Sequence, residues 1–299
     1  MRIWIKAARP RTLLLSLSGV MMGGLLAASG PVFYPLSAVL AALTAMLLQV
    51  LSNLANDYGD FKKGLDDANR VGPQRALQSG ELTETQLRNG IAFTALLCLL
   101  SGAALLLVSW SHVSWKELAV FAVLGLLAIA AALLYTLGKH PYGYHGLGDF
   151  FCFLFFGLVA VAGTNYLSSP GFDWLVALPA MAMGCLTTAV LNINNMRDHD
   201  NDKAKGKNTL VVRMGLKRAF FYHLMLVVLP FLLLTLFLVL KKTPWYTYAF
   251  WLLFPLFIKD LVTLHRSLSV GVPDRLLPRQ VLFTFLVTLV FGLTLCYAT

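Results

Sequence analysis

The sequence predicts an all-α polytopic membrane protein, with nine transmembrane helices in a bundle around a central cavity open to the cytoplasmic side and to lipid. Of the 299 residues, 58% are hydrophobic and 13% are charged, and the mean hydropathy is +0.72. Soluble globular chains are about 45–50% apolar and about 25% charged. Apolar runs that can cross a membrane, which needs about 20 residues for roughly 30 Å of hydrocarbon, recur along the chain. The composition therefore excludes a soluble globular protein.

The apolar segments, taken in order, predict nine spans. They lie at about 12–29, 36–55, 89–109, 118–137, 149–167, 174–194, 219–240, 245–262 and 280–297. Loops on one side are short, whereas loops on the other side are longer and more polar. No soluble domain can be separated from the spans. We therefore expect one transmembrane domain over residues 1–299, with its active-site loops at about 56–88, 138–148 and 195–218.

The basic residues are divided unequally between the two sides of this bundle. The side that carries the amino terminus and the even-numbered loops holds all 24 lysines and arginines except Lys116, Lys241 and Lys242. Because cytoplasmic loops are enriched in Lys and Arg, the amino terminus is predicted to be cytoplasmic and the carboxyl terminus outside. The net charge of +10 is thus a topology signal, and we expect no nucleic-acid partner.

A polar cluster begins inside the second predicted span. Asn53, Asn56, Asp57 and Asp60 are spaced by three and four residues, which places them on one helical face. Carboxylates this close repel each other, and their desolvation near lipid adds to the cost. A bound divalent cation would offset both effects. The cluster therefore predicts a metal site at the inner end of the helix.

A matching cluster begins inside the sixth predicted span. Asn194, Asp198 and Asp202 stand at i, i+4 and i+8, again on one helical face. Magnesium prefers oxygen ligands and is typically held by one or two carboxylates together with substrate phosphates. Two such clusters across a shared cavity would hold a diphosphate through Mg2+ and make it a leaving group. Basic side chains suited to the remaining phosphate oxygens lie nearby: Arg75, Arg197, Lys205 and Lys207.

Other interpretations fit these residues less well. A single Asp-rich loop is usually a solvated turn, but two with the same helical spacing, each beginning inside an apolar span, argue against solvation alone. An EF-hand is a poor fit, because Asp198, Asp200 and Asp202 lack the glycine and glutamate at their required positions. A third polar segment places Tyr135 and Lys139 on one face at the end of the fourth span. Lys139 either holds a phosphate or is an interface lysine that extends toward the headgroups.

Six stretches of the chain resemble the sequence motifs of a known protein family. They are Ala8-Arg9-Pro10-Arg11-Thr12-Leu13, Asn53-Leu54-Ala55-Asn56-Asp57-Tyr58-Gly59-Asp60, residues 72–80, Tyr135 with Lys139, residues 146–149 and residues 194–210. On these residues the chain resembles the UbiA superfamily of intramembrane prenyltransferases, which are nine-helix enzymes with two aspartate-rich motifs on the cytoplasmic side. Within it, the pattern is similar to the 1,4-dihydroxy-2-naphthoate polyprenyltransferase branch of menaquinone biosynthesis.

The resemblance implies roles for the matching residues. The implied metal ligands are Asn56, Asp60, Asp66, Asn194, Asp198 and Asp202. The implied substrate contacts are Asn53, Arg75, Tyr135, Lys139, Arg197 and Lys205. The implied catalytic residues are Asp57, Asp60, Asp198 and Asp202. Gly64 stands where the superfamily's first motif has its last aspartate, so Asp66 is taken as the substitute and Asp67 as the alternative.

The implied reaction is the Mg2+-dependent transfer of a polyprenyl group from polyprenyl diphosphate to 1,4-dihydroxy-2-naphthoate, with loss of CO2 and diphosphate. The product would be demethylmenaquinol, made in the bacterial cytoplasmic (inner) membrane. The proton acceptor stays open between Asp57 and the released diphosphate. Another aromatic acceptor is an alternative within the same enzyme class. A secondary transporter is the alternative of another class, although transporters place their sites near the midplane rather than at inner helix ends.

Overall fold

The computed structural model describes residues 2–65, 75–171 and 173–298, and within these ranges every regular element is a helix. In chain order the helices are α1 (Arg2–Ala8), α2 (Pro10–Ala28), α3 (Pro35–Lys62), α4 (Glu84–Ser109), α5 (Trp115–Leu134), α6 (Gly148–Ser168), α7 (Trp174–Arg197), α8 (His199–Ala204), α9 (Leu210–Leu240), α10 (Trp245–Ser267) and α11 (Leu276–Ala298). All but α1 and α8 are long and apolar enough to cross a membrane, which makes nine spans in the described residues. The prediction of an all-α, nine-span membrane protein is confirmed.

Two helices extend furthest beyond their predicted ends. α3 continues to Lys62 rather than ending near residue 55. α9 begins at Leu210 rather than near residue 219, and its first turn is separated from the apolar span by a kink at Gly215, where φ is 76°. The apolar pattern reports only the part of a helix that lies in hydrocarbon, whereas backbone hydrogen bonds continue the helix through polar residues. The 28 residues of α3 span about 42 Å, so its polar end projects beyond a hydrocarbon layer of roughly 30 Å.

α6 contains an unusual central stretch. Residues Phe153–Ala162 form a π-helix, a geometry that is rare and often found at functional sites. α2 packs closely against it: a side chain added at Gly19 would lie 2.5 Å from the carbonyl oxygen of Phe156, and one at Gly23 would lie 2.3 Å from that of Val161. The two glycines therefore let α2 and α6 form one continuous wall.

The last three long helices are packed solidly. Phe231, Phe250, Phe257 and Phe291 are almost fully buried, with ring centroids of contacting pairs 5.4–5.7 Å apart. Offset and edge-to-face aromatic pairs at this separation add to the stabilisation from buried area. By contrast, only 6% of the apolar span of α5 is buried. The bundle thus has a packed half around α9–α11 and a half around α2–α7 that encloses a cavity.

Candidate active site

A cavity of about 1130 Å³ lies among α2 to α7. Its polar end is formed by charged side chains at the ends of α3 and α7. Its other end is lined by apolar and small residues of α4, α5 and α6, including Leu99, Gly102, Phe121, Gly125 and Phe155. Small-molecule pockets usually enclose about 300–1,000 Å³. The cavity therefore has room for a polar group together with a long apolar tail.

The polar end begins with the last turns of α3. Asp57 and Asp60 are buried there, with 2% and 4% of their surface exposed. Asp57 accepts a hydrogen bond from the guanidinium of Arg9 and lies 3.4 Å from Nε of Arg75. Nη1 of Arg75 donates to Oδ2 of Asp60 at 2.7 Å and to the carbonyl oxygen of Asn56 at 3.0 Å. Buried carboxylates need such partners, because an unpaired buried charge is costly.

The segment after α5 completes this first motif. Tyr144 donates a hydrogen bond to Oδ1 of Asp60 at 2.7 Å. The hydroxyl of Thr136 donates to the carbonyl oxygen of Ala55 at 3.0 Å and lies 3.2 Å from the side-chain amide of Asn56. Gly59 permits this approach, because a side chain there would lie 2.7 Å from Thr136. Burial raises the pKa of the Tyr144 phenol, so the phenol stays protonated and acts as the donor. Both oxygens of Asp60 are therefore held.

Tyr144 also joins the two motifs. The ammonium group of Lys63 lies 4.1 Å from its ring centroid and that of Lys207 lies 5.4 Å away, both within the range of cation–π attraction. The backbone N–H of Asn208 donates to the carbonyl oxygen of Tyr144 at 3.1 Å. One aromatic residue thus contacts the end of α3 and the segment that follows α8.

The second motif lies at the end of α7. Nε and Nη2 of Arg197 donate to the two oxygens of Asp198 at 2.8 and 2.9 Å, and Nη2 also donates to Oδ1 of Asn194 at 2.9 Å. Asp202 on α8 is buried, with Nζ of Lys207 3.7 Å from its Oδ1, and its Oδ2 has no hydrogen-bond partner among the described residues. Burial raises the pKa of Asp202 to about 6, although Lys207 opposes this shift. A buried carboxylate oxygen without a partner fits a cation ligand.

The charges around the cavity favour a polyanion. The described lining residues include six basic side chains, of Lys6, Arg9, Arg11, Arg75, Arg197 and Lys207, and four acidic ones, of Asp57, Asp60, Asp198 and Asp274. The oxygen donors of the two motifs are those that Mg2+ prefers. Within the described ranges, no three Asp, Glu, His or Cys side chains converge as a metal site. Asp66 and its alternative Asp67 lie outside those ranges.

The structure brings most of the predicted site residues to this cavity. It is lined by Asn56, Asp57, Asp60, Arg75, Tyr135, Asn194, Arg197 and Asp198, and Asp202 contacts the lining residue Lys207. Three predicted substrate contacts do not line it. Lys139 is exposed, Asn53 is buried and bonded to the amino-terminal segment, and Lys205 donates to the carbonyl oxygens of Gly64 and Leu65 at 2.8 and 3.2 Å.

Sequence reasoning gave no site role to Arg9 or Tyr144. Arg9 has a φ of 51°, in the left-handed region, which costs a non-glycine residue about 1–3 kcal/mol unless its surroundings enforce it. The Arg9-Pro10 step at the start of α2 was the available signal. Its partner Asp57 is 48 residues away, and no spacing rule connects them.

The sequence profile of the UbiA prenyltransferase family matches residues 16–277, which is most of the chain. The chain belongs to the UbiA prenyltransferase family. It is 40% identical over 297 residues to the 1,4-dihydroxy-2-naphthoate octaprenyltransferase of Haemophilus influenzae, with 99% of this chain and 96% of the relative covered. It is 41% identical over 290 residues to the protein of the same name from Escherichia coli, with 97% and 94% covered.

Solved structures of UbiA homologues share the fold. One from Archaeoglobus fulgidus, bound to DMAPP and Mg2+, has a TM-score of 0.65 at 16% identity and covers 99% of this chain and 100% of that chain. An apo structure of a UbiA homologue from Aeropyrum pernix has a TM-score of 0.64 at 15% identity, with 96% and 97% covered. This UbiA-family chain is thus an integral membrane prenyltransferase, and the transporter alternative is set aside.

Proposed function

We propose that this chain transfers a polyprenyl group from polyprenyl diphosphate to 1,4-dihydroxy-2-naphthoate in a Mg2+-dependent reaction that yields demethylmenaquinol. The observation that carries the proposal is the 40–41% identity, over nearly the full length, to two proteins named 1,4-dihydroxy-2-naphthoate octaprenyltransferase. The cavity agrees with it, because two aspartate motifs and an excess of basic side chains meet at one end of a long apolar space. We further propose that residues 1–299 act as one domain.

The diphosphate is proposed to lie between the ends of α3 and α7. Arg75, Arg197 and Lys207 line the cavity there and supply donors for phosphate oxygens. The proposed Mg2+ ligands are Asn56, Asp60, Asn194, Asp198 and Asp202, with Asp66 beyond the described residues. The ion, when bound, would neutralise the diphosphate and make it a better leaving group. Tyr144 keeps Asp60 oriented toward the cavity end.

The bonds that break and form in the reaction determine what the remaining residues must do. The bond between C1 of the prenyl group and the diphosphate oxygen breaks, and the ring carbon that carries the carboxylate bonds to C1. The bond from that ring carbon to the carboxylate then breaks, its electron pair restores the aromatic ring, and CO2 leaves. No ring proton has to be removed. Asp57, which is paired with Arg9 and Arg75, is therefore proposed to position those arginines rather than to act as a base.

The apolar end of the cavity is proposed to hold the prenyl tail. Its walls on α4, α5 and α6 exclude water from the reacting carbon, which protects an allylic cation from hydrolysis. α5 lines the cavity and has most of its span exposed, so the tail is proposed to reach the surrounding lipid on this side. We propose that the protein lies in a bacterial inner membrane with its aspartate motifs on the cytoplasmic side.

The test is turnover by protein purified in detergent. With octaprenyl diphosphate, 1,4-dihydroxy-2-naphthoate and Mg2+, we expect prenylated product and CO2, loss of both with EDTA, and recovery when Mg2+ is restored.

Asp198→Ala is expected to reduce kcat/KM by more than about hundredfold, because loss of a residue that merely orients a metal ligand already costs about 10–100-fold. Asp173→Ala, at the opposite end of the bundle in an ion pair with Lys241, is the matched control and should retain activity. Absence of product with the wild-type protein would contradict the proposed function.

A further inference from the structure

A polar strip continues from the aspartate motif into the membrane part of the cavity. Ser52 and Gln49 of α3 line it on one side, and Thr12 and Ser16 of α2 line it on the other. Gln49 precedes Asp57 by eight residues, which is about 12 Å along the helix axis. The contacts proposed for the diphosphate use none of these side chains. Apolar residues of α4 and α5 line the same cavity.

The orientation of the Gln49 amide follows from its neighbours. Nδ2 of Asn53 lies 2.9 Å from the carbonyl oxygen of Ala8, which can only accept a hydrogen bond. It also lies 2.9 Å from Oγ1 of Thr12, whose own proton is donated to the carbonyl oxygen of Arg9. Nδ2 must therefore be the donating end of Asn53, and Oδ1 faces Gln49. An accepting Oδ1 requires the amide nitrogen of Gln49, which lies 3.1 Å away.

This arrangement leaves one acceptor unused on Gln49, a residue that lines the cavity. Oε1 of Gln49 has no hydrogen-bond partner among the described residues, and only 9% of the residue surface is exposed. A buried amide oxygen without a partner is costly, and more so inside a membrane, where water does not compensate. Because the unused atom is an acceptor, the group that fits it is a donor. A hydroxyl fits, whereas a carboxylate does not.

Cationic side chains line the same cavity as Gln49. Asn53 ties Gln49 to Ala8 and Thr12, and the guanidinium groups of Arg9 and Arg11 belong to the same short segment and line the cavity. A ligand that satisfies both features carries a hydroxyl and an anionic group. An aromatic hydroxy acid has this combination.

We propose that Gln49 and the Arg9–Thr12 segment form the subsite for the aromatic acceptor. A ring hydroxyl donates to Oε1 of Gln49, and the carboxylate faces the guanidinium groups of Arg9 and Arg11. The ring then lies between the diphosphate end of the cavity and the apolar wall that receives the prenyl tail. This assignment rests on the proposed function, because it names the place where that reaction's second substrate binds.

The test measures binding and does not depend on turnover. Dissociation constants of 1,4-dihydroxy-2-naphthoate, kept anaerobic, and of 2-naphthoate, which lacks both hydroxyls, are measured on the wild-type protein and on Gln49→Leu and Gln49→Met. The wild-type protein is expected to prefer the dihydroxy acid by about tenfold, the value of one net hydrogen bond. Both variants are expected to lose this preference while 2-naphthoate binds as before, since the arginines are unchanged.

Thr44→Val is the matched control. Thr44 also lines the cavity on α3, but its hydroxyl is already bonded to the carbonyl oxygen of Leu40 at 2.8 Å and to Ser101 at 3.2 Å. It should keep the wild-type preference. The subsite assignment is overturned if both Gln49 variants still prefer the dihydroxy acid. It is also overturned if they lose affinity for both ligands equally. The turnover assay on the same wild-type sample decides the proposed function separately.

Discussion

Asp60 has both carboxylate oxygens engaged, one by Arg75 at 2.7 Å and the other by Tyr144 at 2.7 Å. Hydrogen bonds to an ionised group are roughly twice as strong as those between neutral groups. Arg75 also approaches Asp57, so the guanidinium is shared, whereas the phenol is committed to Asp60 alone. Tyr144 is therefore a positioning residue for the first motif.

We predict that Tyr144→Phe lowers kcat/KM for the prenyl diphosphate by about tenfold to hundredfold, because a hydrogen bond to a charged group contributes about 1.5–3 kcal/mol. The KM for the aromatic acceptor should not change, since the phenol does not contact the proposed acceptor subsite. Steady-state kinetics with each substrate varied in turn provide the measurement. Tyr246→Phe, at the other end of the bundle, is the control. An unchanged kcat/KM in Tyr144→Phe would show that Asp60 needs no such donor.

The sequence could identify some residues of the site and not others. Asn56 with Asp60, and Asn194 with Asp198, were found because helical periodicity is a local property, and the structure places all four on the cavity. Tyr144 contacts Asp60 across 84 positions of the chain, a relation that only tertiary packing creates. Helical periodicity also does not establish the role of a residue. Asn53 lies on the same helical face, yet its side chain bonds to Ala8 and Thr12.

At the scale of elements, α4 and α5 form the apolar wall of the cavity. Gly102 and Gly125 line this wall, and a side chain added at either would meet nothing within 4 Å. A larger side chain there would occupy cavity space rather than displace a neighbour. Glycine in a helix interior is less favourable than other residues by roughly 0.5–1 kcal/mol, so replacement should not weaken the helix.

We predict that Gly102→Phe narrows the tail path. The kcat/KM for octaprenyl diphosphate should fall by at least about tenfold, because its long tail loses contacts with the narrowed wall. The kcat/KM for geranyl diphosphate, whose tail has only two isoprene units, should fall little. The measurement compares the two donors in the same assay. Leu100→Phe places the same side chain on α4 at a position that is 58% exposed and does not line the cavity. Equal losses for both donors in Gly102→Phe would place the tail elsewhere.

The existence of every span was predictable, because runs of apolar residues match the thickness of hydrocarbon. The ends of α3 and the π-helical stretch of α6 were not. The end of α3 is set by Gly64, whose φ of 69° is left-handed, and by backbone hydrogen bonds from Gly64 to Phe61 and from Leu65 to Asp60, both at 3.0 Å. The π-helical stretch is an apolar segment whose composition is the same as that of an ordinary α-helix.

On the scale of the whole molecule, most of the basic side chains and the candidate active site lie at the same end of the bundle. The aspartate motifs, the basic side chains around the cavity and the longer loops all lie at the ends of α3, α5 and α7. The opposite end carries Lys116, Lys241 and Lys242, of which Lys241 is paired with Asp173 at 2.7 Å. Such an uneven distribution of lysine and arginine between the two ends would orient the bundle during membrane insertion. A diphosphate made in the cytoplasm would then meet the site directly.

We predict that the motif end faces the cytoplasm, and cysteine labelling in intact cells tests this. Ser79 lies exposed near the first motif, and Ser111 lies exposed between α4 and α5 at the other end. In spheroplasts, a membrane-impermeant maleimide should label Ser111→Cys, whereas Ser79→Cys should be labelled only after lysis. The parent protein supplies the background, since Cys98 and Cys185 are buried and Cys152 and Cys296 are half-buried. The reverse pattern would contradict the orientation without affecting the fold, because the bundle's packing is independent of which side of the membrane each end occupies.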